Sequence, residues 1–140
     1  MARNDMPMTL PAVLRAAAER WRDAPAIEDG RTLSFVVLQT EVAAAVRGLR
    51  GLGVGRGDRV AIWGPNRWEW IVAALAVHGL GAILVPINTR YKRAEAAFIL
   101  ERSGARALFV SDVFLDVDYH NATRDDGLTL YRTRDIFTVG

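Results

Sequence analysis

The 140-residue chain has the length of one ordinary domain, and at 51% hydrophobic residues it carries enough apolar material for a core. It holds no cysteine, which excludes thiol catalysis, disulfides and thiolate metal sites. The formal net charge is only +2, and the cations, all arginine except Lys92, alternate with acids, as at Glu19-Arg20 and Asp58-Arg59; the clustering that a nucleic-acid partner requires is missing.

In chain order, Met1 to Pro7 is too polar for a secretory signal, so a cytoplasmic protein is expected. Thr9 can cap a first helix, with Pro11 in its first turn. Leu10, Val13, Leu14, Ala17, Ala18 and Trp21 then keep the helical period to about Arg22. Asp29-Gly30, between Ala26-Ile27-Glu28 and Arg31-Thr32-Leu33, signals a hairpin. Ser34 caps a second helix, about Phe35 to Leu52, whose inner face is Phe35, Leu38, Val42, Ala45, Val46 and Leu49. The glycines of Gly51-Leu52-Gly53-Val54-Gly55-Arg56-Gly57 follow a helix and precede a strand, the reverse of the dinucleotide fingerprint, and read as a helix stop and tight turn.

Arg56 to Ser111 is the centre of the chain. Asp58-Arg59-Val60-Ala61-Ile62-Trp63 is a short apolar strand broken by Gly64-Pro65-Asn66. Asn66 suits an N-cap, with Glu69 placed to reach back to the cap's N–H. The helix that follows is apolar nearly all round: Trp68, Ile71, Val72, Leu75 and Ala76 on one face, Trp70, Ala73, Ala74 and Val77 on the other, which marks a buried helix. Gly79 and Gly81 end it, and Ala82-Ile83-Leu84-Val85-Pro86 is a second strand. A helix over about Lys92 to Ser103, carrying Ala94, Ala97, Phe98 and Leu100 and stopped by Gly104, leads to a third strand, Arg106 to Val110. Right-handed crossovers make these strands parallel. The expected class is α/β: a mostly parallel sheet with helices on both faces and a small N-terminal hairpin. Residues 71–87 also imitate a membrane span, but the run is short of the roughly 20 residues required and is interrupted by His78, Gly79, Gly81 and Pro86. Beyond Ser111, Asp112 to Leu115 suits a short helix, Asp116 to Gly127 is polar, and Leu128-Thr129-Leu130 and Ile136 to Val139 are strand material.

Few side chains offer chemistry. His78 is either a base or ligand, or a histidine hydrogen-bonded near a helix C-terminus. His120, in a polar loop, has no second histidine at metal-ligand spacing. Asn88, Arg90 and Tyr91 follow the carboxyl end of a strand, where open α/β sheets bind ligands, and equally suit loop anchoring with Asn88 capping a turn. Trp63, Trp68 and Trp70 fit a pocket lining or a core. Asn121-Ala122-Thr123 matches a glycosylation sequon, without meaning unless the chain is secreted.

Several runs together carry a resemblance. They are Gly57-Asp58-Arg59-Val60-Ala61-Ile62, Asn66-Arg67-Trp68-Glu69-Trp70, Gly81 through Tyr91, Glu95 with Ile99-Leu100, and Ser103-Gly104-Ala105. In these the chain resembles the N-terminal region of the adenylate-forming ligases, and within them the acyl-CoA synthetases (fatty-acid-CoA ligases), from about Leu10 to Gly140. Ser34-Phe35-Val36-Val37-Leu38 fits a family run, with Val37 where an acid is common. The resemblance implies that residues 1–140 form the N-terminal part of an AMP-dependent synthetase/ligase domain, core 56–111. It further implies a complete enzyme that uses ATP, Mg²⁺ and coenzyme A to convert a carboxylic acid to its acyl-CoA. The family's Ser/Thr/Gly-rich loop ending in Pro-Lys-Gly does not occur in the sequence, and the catalytic lysine has no counterpart, Lys92 lying in the helix after the second strand. No catalytic, cofactor-binding or metal-ligating residue is therefore expected here, and the chain is expected to be a truncated gene product or an excerpt, inactive by itself. His78, Asn88, Arg90 and Tyr91 are candidates to border the substrate, and the segment could offer a homodimer surface. The alternative is a non-catalytic α/β binding or interaction module, or an inactive remnant.

Overall fold

The computed structural model describes residues 9–110 and the strand segments 113–114, 117–118 and 129–132. Helix α1, Leu10–Trp21, starts where Thr9 Oγ1 accepts the Ala12 N–H at 3.3 Å. Its packed residues are Leu14, Ala17 and Ala18, while Leu10, Val13 and Trp21 stay about half exposed. Strands β1 (Pro25–Glu28) and β2 (Thr32–Ser34) form the expected antiparallel hairpin. Helix α2, Phe35–Gly51, is capped by Ser34 Oγ, which accepts the Val37 N–H at 3.2 Å. The glycine-rich run after α2 is a helix stop and turn: Gly53 and Gly57 take φ of +83° and +81°, a region that glycine enters without strain.

The main sheet has the order β4-β3-β5-β8, every pair parallel. Its strands are β3 (Arg59–Trp63), β4 (Ile83–Ile87), β5 (Ala107–Val110) and β8 (Thr129–Arg132). Helix α3, Trp68–Gly79, joins β3 to β4, and helix α4, Arg93–Ser103, joins β4 to β5. Alternation along the strands divides the core in two. Val60, Ile62, Ala107 and Phe109 meet α2 and α3 on one face; Ala61, Trp63, Leu108 and Val110 cluster with Ala96 and Leu100 of α4 on the other. The continuous apolar runs of β3 and β5 are thus explained by cover on both sides. Among the described residues no helix is long and apolar enough to cross a membrane. The apolar run 71–87 is broken at Gly81, φ +70°, and continues as β4.

Two expectations are corrected, at the start of α3 and at Val113–Phe114. Asn66 does not cap α3: the N-cap position is Arg67, and the orphan N–H of Trp68 goes instead to Asp29 Oδ2 at 3.0 Å, because packing brings the hairpin tip over the helix start. On α4 the inward residues are Ala96, Ile99 and Leu100, and Phe98 is 60% exposed. Small Ala96 lets that side of the helix approach the sheet closely, which turns Phe98 outward. Val113–Phe114 is not helical: as β6 it pairs antiparallel with β7, Val117–Asp118, as the β-branched valines favour. The strand expected at Ile136 to Val139 lies outside the described residues.

Candidate functional site

The connections leaving β3 and β4, neighbours in the sheet, turn to opposite faces: α3 lies on the α2 side and α4 on the other. The strand order reverses between β3 and β5, and this topological switch point, outside the carboxyl ends of the strands, is the usual ligand position in open α/β sheets. Two lips stand at this end of the sheet: Gly64 to Arg67, which leads into α3 from the switch point, and Asn88 to Lys92, which leads into α4 from the outer strand β4.

Asn88 organises the second lip. Its Oδ1 accepts the Arg90 N–H at 2.9 Å, and its carbonyl accepts the Tyr91 N–H at 3.0 Å. It is the turn cap that its side chain suggests, and it leaves the Arg90 and Tyr91 side chains exposed. The indole N–H of the fully buried Trp63 crosses from β3 to the same Asn88 carbonyl at 3.1 Å. Lys92 N–H donates to Glu95 Oε2 at 2.7 Å, starting α4.

The first lip is held from the hairpin. Asp29 caps Trp68, and the Arg31 guanidinium lies 4.5 Å from the centre of the Trp68 ring. Arg31 also reaches Glu41 of α2 at 3.5 Å, an exposed pair that adds little. Beneath this lip a cavity of about 40 Å³ is lined by Ile62, Trp63, Gly64, Pro65, Arg67, Glu69, Trp70 and Phe109. Glu69 Oε1 pairs with Arg67 at 3.2 Å, while its Oε2 is buried with no hydrogen-bond partner among the described residues.

The four substrate candidates do not form one site. Asn88, Arg90 and Tyr91 stand together on one lip. His78 is near the far end of α3, a helix of 12 residues, hence on the order of 15 Å away at 1.5 Å per residue, at the amino edge of the sheet. It is half-buried there and marks the turn to β4, where its carbonyl accepts the Gly81 N–H at 3.0 Å. Trp63 is core and lines the cavity together with Trp70, and Trp68 lies under Arg31. His120 and the Asn121 sequon lie outside the described residues. Sequence reasoning missed Asp29 and Arg31 as parts of this end of the molecule. The Asp29-Gly30 turn signal was visible; the helix start that it meets, 39 residues on, was not.

Among the described residues no three His, Asp or Glu side chains are grouped to hold a metal ion. The sequence holds no Ser/Thr/Gly-rich phosphate loop, and no chemical step through ATP, Mg²⁺ or coenzyme A is assigned to the described residues.

Known proteins resemble this chain over most of its length. A family described as "AMP-binding enzyme" matches residues 14–135. A methyl-dioxo-octahydroindenyl-propanoyl:CoA ligase of Rhodococcus jostii is 42% identical over 127 residues, 90% of this chain and 25% of the relative. The ligase of the same description from Mycobacterium tuberculosis is 45% identical over 116 residues, 82% of this chain and 23% of the relative. A mitochondrial medium-chain acyl-CoA ligase of Homo sapiens is 34% identical over 120 residues, 83% of this chain and 19% of its own length. The chain therefore spans about a quarter or less of the curated relatives it matches. Among solved structures, a fatty acyl CoA synthetase of Mycobacterium tuberculosis superposes with a TM-score of 0.86 at 23% identity, over 98% of this chain and 29% of that one, a likeness of fold.

Proposed function

The chain belongs to the AMP-binding enzyme family, and we propose that it serves an ATP-dependent acyl-CoA ligase as scaffold and as one wall of the acid's pocket. The overall reaction joins a carboxylic acid to the thiol of coenzyme A and converts ATP to AMP and pyrophosphate. The observation that carries this is the 42% identity to a CoA ligase across 90% of the chain. ATP, Mg²⁺ and coenzyme A would be held by parts of the enzyme other than these residues. The 140 residues alone turn over nothing, since they include neither the phosphate loop nor the lysine of the resemblance.

The acid is proposed to be ring-bearing. The two relatives named for a bicyclic propanoyl group are 42% and 45% identical, the medium-chain ligase of Homo sapiens 34%. Trp70 and Pro65 with Arg67, at the cavity beside the switch point, suit an apolar body bearing an anionic tail. We place the protein in the cytoplasm and leave the exposed outer edge of the sheet at β4 as the surface through which two copies would associate.

A graft tests this. These 140 residues replace the matching quarter of the Rhodococcus jostii ligase, and pyrophosphate release is followed with the bicyclic propanoate and with a medium-chain acid. Release that depends on the acid and favours the bicyclic one is expected from the graft, and none from the isolated chain. A folded but silent graft would favour a non-catalytic interaction module. Acid-dependent release by the isolated chain would overturn the division of labour.

A further inference from the structure

The Asn88 to Tyr91 lip lies beyond the last rung between β3 and β4, Trp63 opposite Ile87, so no strand ladder fixes it. Within the lip, Asn88 supplies two acceptors, Oδ1 to Arg90 N–H at 2.9 Å and the carbonyl to Tyr91 N–H at 3.0 Å. From outside, the Trp63 indole donates to that same carbonyl at 3.1 Å. A carbonyl oxygen has two lone pairs, and here both are engaged, one by the lip and one by the core. Rotating the Asn88 peptide therefore breaks both bonds together.

Trp63 itself cannot follow such a rotation. It is 0% exposed and belongs to the core cluster of Ile87, Ala96, Leu100 and Val110. A phenylalanine at this position would supply apolar bulk without the bond, whereas the indole adds a donor at a fixed place on a rigid ring. We propose that Trp63 is a positioning residue for the Asn88 to Tyr91 lip: it lines the small cavity under the other lip, and through the Asn88 carbonyl it sets where Arg90 and Tyr91 project. This rests on the reading of that lip as pocket wall.

Amide hydrogen exchange of the whole 140-residue chain tests the positioning directly. In Trp63→Phe the Arg90 and Tyr91 amides are expected to exchange roughly fivefold faster, the worth of one net hydrogen bond, while the amides of α2 and of Val60 to Ile62 keep their rates. Equal acceleration everywhere would make Trp63 a packing residue only and overturn the proposal. If Trp63→Phe does not fold, the wild-type indole N–H decides: exchange at the rate of the half-exposed Trp21 indole would mean the bond is absent, and much slower exchange supports it. In the ligase graft, Trp63→Phe is expected to raise KM for the acid several-fold with kcat within twofold. A graft without activity, beside the expected exchange result, would count against the ligase reading and not against the positioning.

Discussion

Arg59 joins three segments with one guanidinium. Its Nε donates to the Ser103 carbonyl at 2.9 Å and its two terminal nitrogens donate to Gly104 O at 3.0 Å and Gly57 O at 3.2 Å. The orphan carbonyls at the end of α4 thus receive a cation at the negative pole of the helix. Gly104 makes room for it: φ is +62°, and an added Cβ would stand 2.9 Å from the Arg59 terminal nitrogen. Gly104→Ala is expected to cost about 1–2 kcal/mol, the usual penalty of a left-handed non-glycine residue, measured as a lower urea midpoint. Next to it, Asp58 Oδ2 accepts the Gly55 N–H at 2.8 Å and meets Arg106 at 2.9 Å. The Gly55 bond, the largest effect, with the smaller help of Arg106 and Arg59, holds its carboxyl below the ordinary carboxylate range against desolvation, which is second in size and opposes them. A carboxyl whose folded pKa is lowered adds stability above its unfolded pKa and loses it as pH falls through the folded value. Urea midpoints are therefore expected to fall as pH drops below about 4, and Asp58→Asn should lower the midpoint at pH 7 and flatten that acid dependence.

Helix α3 shows how an element can be certain in kind and misjudged at its start. Its all-round apolar pattern announces burial, and Val72, Ala73, Ala76 and Val77 are indeed at most 1% exposed. The cap is another matter, because Asp29 arrives from a different element. Asp29→Ala is expected to destabilise the protein by about 1 kcal/mol, as loss of a cap does, and Asn66→Ala by less than about 0.5 kcal/mol, both measured by urea unfolding. Equal costs would return the cap to Asn66. Helix α4 is foreseen as a helix with its Gly104 stop, but without a buried face. Apolar residues occupy several sides of this short helix, so periodicity alone does not pick the buried one; the sheet beneath chose Ala96 and Leu100 and left Phe98 outside.

At the scale of the whole molecule, β3 is central: it pairs with β4 on one edge and β5 on the other and is covered on both faces. Helix α1 packs through only part of one face. Opening free energies follow such differences in burial. Exchange is expected to be slowest in Val60 to Ile62 and fastest among helices in α1; equal protection of α1 and β3 would contradict this account of where the core sits. The sequence by itself determined the α/β class, the hairpin, the three parallel strands, the caps at Thr9 and Ser34 and the Asn88 turn, because each depends on periodicity or on hydrogen bonds within three or four residues. Only the tertiary structure decided that Asp29 starts α3, that Trp63 grips Asn88, that Phe98 faces outward and that His78 stands at the opposite end from Arg90 and Tyr91. Those outcomes depend on which elements touch and with what rotation, and a local pattern does not encode contacts made 25 or 39 residues away.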